Sequence, residues 1–210
     1  MTTGLTASRS GTEYIDYVMP GILLMTLGSG SMPTAVAVCT DMTEGIVARF
    51  RTMAISRASV LTGHVVGSVI QTMTSVALLL GVGLLMGFRP TADVSSWLAV
   101  IGVLTMATLA LTWLAVLLGL ISTNPEAAGN AVMPLSFFLP FVSSAFVPLE
   151  SMPTGVREFA EYQPFTAVIE ALRGLLFGGP VGNNVTIALT WCTGLTLVGY
   201  LWAKKLYNRS

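Results

Sequence analysis

Charge is scarce in this sequence, with ten basic and ten acidic residues among 210 and a net charge of zero. A water-soluble domain carries about a quarter charged residues; the 10% here, with a mean hydropathy of +0.77, excludes a surface wetted all round. The lack of a basic excess excludes the cationic face of a nucleic-acid binder. A single histidine excludes a His-rich metal site. Cys39 and Cys192 lie in separate apolar runs without C-x-x-C spacing, and read as small buried residues rather than redox or metal groups. No G-x-x-x-x-G-K-[ST] loop is there to cradle ATP. No G-x-S-x-G elbow occurs either, and Gly28-Ser29-Gly30-Ser31 offers serines without a base. No catalytic residue, metal or cofactor is therefore expected.

What is there is long apolar runs. Residues 17–40, 58–88, 94–125, 127–149 and 174–203 contain no Asp, Glu, Lys or Arg, and each exceeds the roughly 20 apolar residues that a membrane-crossing helix needs. Strands of a barrel alternate with period two, whereas Val76 to Leu85 and Leu109 to Leu120 are continuously apolar. The expectation is an all-α polytopic membrane protein forming one domain over residues 1–210, with five transmembrane helices. These run near Tyr17–Cys39, Leu61–Phe88, Trp97–Ile121, Ala128–Pro148 and Val185–Ala203. Pro20 and Pro33 should kink the first, and Pro134 and Pro140 should bend the fourth. An ion-coupled transporter keeps charged residues inside its spans; their absence here argues against self-powered transport.

Basic residues favour the cytoplasmic side. Arg49, Arg51, Arg57, Lys204, Lys205 and Arg209 fall on one side of an alternating five-span chain, and Arg9, Arg89, Arg157 and Arg173 on the other. This places the C-terminus in the cytoplasm and residues 1–13 outside as a polar tail.

Two connecting segments have helical character. In 41–57, Asp41 and Glu44 have capping-box spacing, and Ile46, Phe50 and Met53 recur on one face with Arg49 and Arg51 off it. This reads as a cytoplasmic amphipathic helix. In 150–182, Pro153 and Pro164 stand where helices can begin. The second piece puts Phe165, Val168, Ile169, Leu172 and Leu176 on one face and Glu170 and Arg173 on the other. Too short to span, the segment is expected to be an extracellular re-entrant hairpin.

Uncharged polar residues recur at helical spacing: His64, Ser68, Gln71 and Ser75 in the second span, Thr105, Thr108 and Thr112 in the third, Thr186, Thr190 and Thr193 in the fifth. They either pack helices together, at about 0.6 kcal/mol per hydrogen bond, or line a path for a mostly apolar solute.

Taken together, YIDYVMPGILLM (14–25) and EGIVARFRTMAISRASVLTGHVV (44–66) resemble the permease subunits of ABC-2-type exporters. The block NPEAAGNAVMPLSFFLPFVSSAFVPLESMPTGVREFAEYQPFTAVIEALRGLL (124–176) is similar to that family's C-terminal signature, most of all in the daunorubicin-resistance branch of drug exporters. The resemblance implies a membrane subunit that pairs with a second permease subunit, identical or not, and docks on separate ATP-binding-cassette ATPase subunits. It implies that Asp41, Glu44, Ile46, Arg49, Phe50 and Arg51 belong to a coupling helix held in an ATPase groove. Pro153, Pro164, Glu170 and Arg173 would belong to short extracellular helices capping the exit.

The family's N-terminal amphipathic helix and first span have no counterpart here, so the first span is matched to the family's second. The chain is accordingly expected to be a fragment, a sequence with its start placed late, or a short form. The function implied is export of hydrophobic drug-like or lipidic compounds across the cell membrane, with ATP hydrolysed by a partner. The alternatives are an exporter of polysaccharide or lipid-linked glycan, and a membrane scaffold or immunity protein that transports nothing.

Overall fold

The computed structural model describes residues 3–44, 57–141, 143, 163–179 and 182–207, and every regular element among them is helical. In chain order these are α1 (Thr3–Thr43), α2 (Arg57–Leu85), α3 (Val94–Ile121), α4 (Pro125–Met133), α5 (Pro164–Phe177) and α6 (Asn184–Tyr207). A π-helical turn over Pro134–Phe138 and a last turn at Leu139–Phe141 extend α4. Among the described residues, four helices are long and apolar enough to cross a membrane, through Ile15–Thr43, Leu61–Leu85, Val94–Ile121 and Asn184–Leu206.

The predicted fourth span is helical through Phe141, with a π turn in its middle, and most of its remainder lies outside the described residues. Asn124 caps α4, its Oδ1 accepting from the Ala127 N–H at 2.7 Å, and Pro125 fills the first position, where no N–H is needed. Pro134 and Pro140 then each remove a ladder donor. The backbone widens into the π turn, and the Ser136 hydroxyl donates to the Val132 carbonyl at 3.2 Å. By contrast, α1 continues as one helix through Pro20 and Pro33.

The centre of the bundle is α3, packed chiefly against α6 and α1. It is buried on nearly every side, from Val100 through Leu104, Thr108 and Leu111 to Val116. Of their most apolar windows, α1 and α3 bury 50% and 61%, while α2 and α6 bury 22% and 17%; the latter pair form the outside. Close approach rests on glycine. A Cβ on Gly119 of α3 would lie 2.5 Å from the Ala35 carbonyl oxygen of α1, and one on Gly28 would lie 2.7 Å from Cα of Ser136 in the π turn.

Two clusters mark the two ends. The larger joins Met19, Leu23 and Leu27 of α1 to Val103 and Leu104 of α3, Ile169 and Leu172 of α5 and Ala188 of α6. The smaller joins Val38, Leu61, Val65, Trp113, Val116 and Ala203. The C-terminal ends of α1, α3 and α6 and the N-terminal end of α2 therefore lie together.

The turn from α2 to α3 closes the opposite end. Gly87, at φ 106°, lets the Phe88 N–H return to the Gly83 carbonyl at 2.9 Å, a Schellman closure that leaves Phe88 buried. Asp93 caps α3, accepting from the Ser96 N–H at 2.8 Å and the Ser95 hydroxyl at 3.0 Å. These bonds, those from Ser96 foremost, hold its pKa below the ordinary 3.8. A depressed carboxylate stabilises the fold above its unfolded pKa and loses that contribution as pH falls through the folded value. The Asp93→Ala variant is accordingly expected to melt below wild type at neutral pH. In a melting series the gap should close once the pH drops beneath 3.8; a gap independent of pH would contradict the cap.

Candidate functional site

Three features stand out: the end where α1 meets α2, the helix α5, and the face of the π turn. At the first, α1 runs on to Thr43, so Asp41 sits inside its last turn. This corrects the capping-box expectation, because a cap needs non-helical backbone and α1 provides none at Asp41. Its carboxylate instead meets His64 Nε2 of α2 at 2.7 Å, each side chain about a quarter exposed. Glu44 is exposed just beyond the helix. Ile46, Arg49, Phe50 and Arg51 lie outside the described residues.

The polar stripe on α2 divides. Ser68 is buried, 3.5 Å from both the Thr112 hydroxyl and the Gly30 carbonyl. Gln71 and Ser75 are exposed, and Ser75 donates to the Gln71 carbonyl at 3.2 Å. Pro33, Thr34, Ala37, Gly63, Gly67 and Gln71 wall an open groove of about 740 Å³ between α1 and α2, with His64 on its rim. On α3, Thr105 and Thr108 donate to the carbonyls of Ile101 and Leu104, both at 2.7 Å, and both approach Met73 Sδ at 3.9 Å. Thr108 and Thr112 are buried between helices. The structure thus does not bring the two stripes together as one open channel; their hydroxyls spend their bonds on helix carbonyls and on each other.

The predicted helix after Pro164 is present as α5, 14 residues long and ended by Gly178 at φ 68°. Phe165, Val168, Ile169, Leu172 and Leu176 are all buried. Phe165 and Val168 share a small apolar cavity with Leu24, Ala107, Leu111 and Cys192, which places them halfway along α3. At its other end the Leu176 carbonyl accepts from the Thr91 N–H at 2.9 Å. The helix therefore climbs from mid-depth to one end of the bundle. Arg173 donates to Glu170 at 2.7 Å, the predicted pair. Its guanidinium also lies 4.4 Å over the Tyr17 ring and donates to the Tyr17 carbonyl at 3.4 Å, so it faces α1. Pro153 lies outside the described residues.

Sequence reasoning missed the third feature. Asn130, Met133, Pro134, Phe137, Phe138 and Phe141 wall an open cleft of about 840 Å³ along the π turn. Phe138 is 67% exposed and Phe141 56%. The signal was legible as Met133, Phe137 and Phe141 at intervals of four, flanking Pro134 and Pro140. Aromatic faces on an open, apolar wall suit flat hydrophobic ligands, which they can stack upon.

A family model described as "ABC-2 family transporter protein" matches residues 2–203. The daunorubicin resistance ABC transporter permease protein DrrB1 of Streptomyces coeruleorubidus is 28% identical over 202 residues, covering 95% of this chain and 70% of that protein. The probable doxorubicin resistance ABC transporter permease protein DrrC of Mycobacterium tuberculosis is 26% identical over 181 residues, covering 86% of this chain and 65% of that protein.

Proposed function

This chain belongs to the ABC-2 family of transporter proteins, and from that premise we propose that it is a membrane permease subunit exporting hydrophobic, drug-like or lipidic compounds. Energy comes from a separate ATP-binding-cassette subunit, and a second permease subunit completes the path. The observation that carries the cargo class is the cleft of Phe137, Phe138 and Phe141. It offers ring faces and no charge, as a polycyclic amphiphile would need. The relatives named for daunorubicin and doxorubicin resistance agree with such a cargo.

In this reading the segment from Pro125 through the π turn completes a fifth crossing over 128–148. The end holding Asp41, His64, Lys204 and Lys205 faces the cytoplasm, where 41–57 couples to the ATPase. The 150–182 segment is the external re-entrant hairpin, with α5 as its second arm, and Arg173, paired with Glu170, ties it to α1. Movement of the coupling segment on ATP binding tilts α1 and α2 and opens the outer end. Cells expressing this chain with its ATPase subunit should retain less of a fluorescent anthracycline than cells lacking either one. Equal retention in all three would sink the proposal.

A further inference from the structure

The Asp41–His64 pair is a contact that neither a polar path nor helix packing explains. The two residues are 23 positions apart and belong to different helices. Between them lie the residues assigned above to coupling. At 2.7 Å, with each side chain about a quarter exposed, the contact is a charge-assisted hydrogen bond in partly desolvated surroundings. Such a bond is stronger than a neutral one. Around it, Met42 of α1 and Leu61 and Val65 of α2 pack in the cluster that holds Trp113 and Val116 of α3. On the groove side, Gly63 and Gly67 have nothing within 4 Å of a Cβ position. The Asp41–His64 bond bridges α1 and α2 beside that groove.

We propose that Asp41 and His64 are positioning residues that clasp the two roots of the coupling segment. A displacement delivered between them then moves α1 and α2 as one body instead of splaying them. This rests on the permease reading. Without the clasp, ATP hydrolysis would continue while less of its motion reached the bundle.

The test uses the assembled transporter, with Asp41→Asn, His64→Gln and the exchange Asp41→His/His64→Asp. The quantity read is ethidium transported per ATP hydrolysed. Each single variant is expected to insert and assemble normally yet lose about tenfold in that ratio, the scale of one hydrogen bond to a charged group. The exchange should recover most of it, a readout that generic loss of packing would not give. Single variants with an unchanged ratio, or an exchange no better than the singles, would overturn the clasp. Absence of ATP-dependent transport by the wild-type assembly would instead strike the permease reading itself.

Discussion

Gly119→Leu is expected to cost the folded bundle about 1–3 kcal/mol, the range for forcing extra methylenes into a packed interior. The side chain would start 2.5 Å from the Ala35 carbonyl oxygen, with the Ala35 Cα at 3.1 Å. Both are backbone atoms of a long helix, so neither can rotate aside. Leucine is more apolar than glycine, which keeps insertion into the bilayer favourable and isolates the packing effect. Gly102 lies on the same helix with nothing within 4 Å of its Cβ position, so Gly102→Leu is the matched control. Thermal unfolding in one detergent should show the first variant melting well below wild type and the control alongside it. Equal melting of both would mean that α1 and α3 do not meet as closely as described.

The second large effect falls on transport and spares stability. Phe137, Phe138 and Phe141 are 40%, 67% and 56% exposed, so truncating them leaves no buried cavity to destabilise the fold. If cargo stacks on them, each ring contributes about 0.5–1.5 kcal/mol. Losing two or three contacts should then raise KM for an anthracycline about tenfold or more. The triple alanine variant is expected to melt like wild type while showing that rise. Triple leucine, which keeps bulk but not the ring quadrupole, should fall between. Unchanged KM in the alanine variant would remove the cleft from the transport path.

Much of the fold was written in where charges are missing. Both ends of α2 and α3 fall within four residues of the ends of a charge-free stretch, and α1 and α6 end equally close to theirs, because in a membrane every charged side chain must sit near an end or find a partner. Residues 125–141 were harder to read. Composition marks them as apolar, but whether two prolines bend or break a helix depends on the packing around the carbonyls they free, which composition does not give. The site was less legible than the fold. The period of Thr105, Thr108 and Thr112 puts them on one face, yet period alone cannot tell a channel lining from a helix contact. Asp41 and His64 each carried a plausible local role, and only the three-dimensional approach of two helix ends made them partners. For α5 the apolar face was clear from spacing, while the turn of Arg173 towards Tyr17 depended on a neighbour 156 residues away.

In the permease reading, this chain supplies a path and another subunit supplies the energy. Its most direct test is drug uptake into inside-out proteoliposomes containing this chain, the ATPase subunit, or both. ATP-dependent uptake is expected with both together, none with either alone, and none when the ATPase subunit binds but cannot hydrolyse ATP. Uptake by this chain alone, or undiminished uptake with the inactive ATPase, would contradict it.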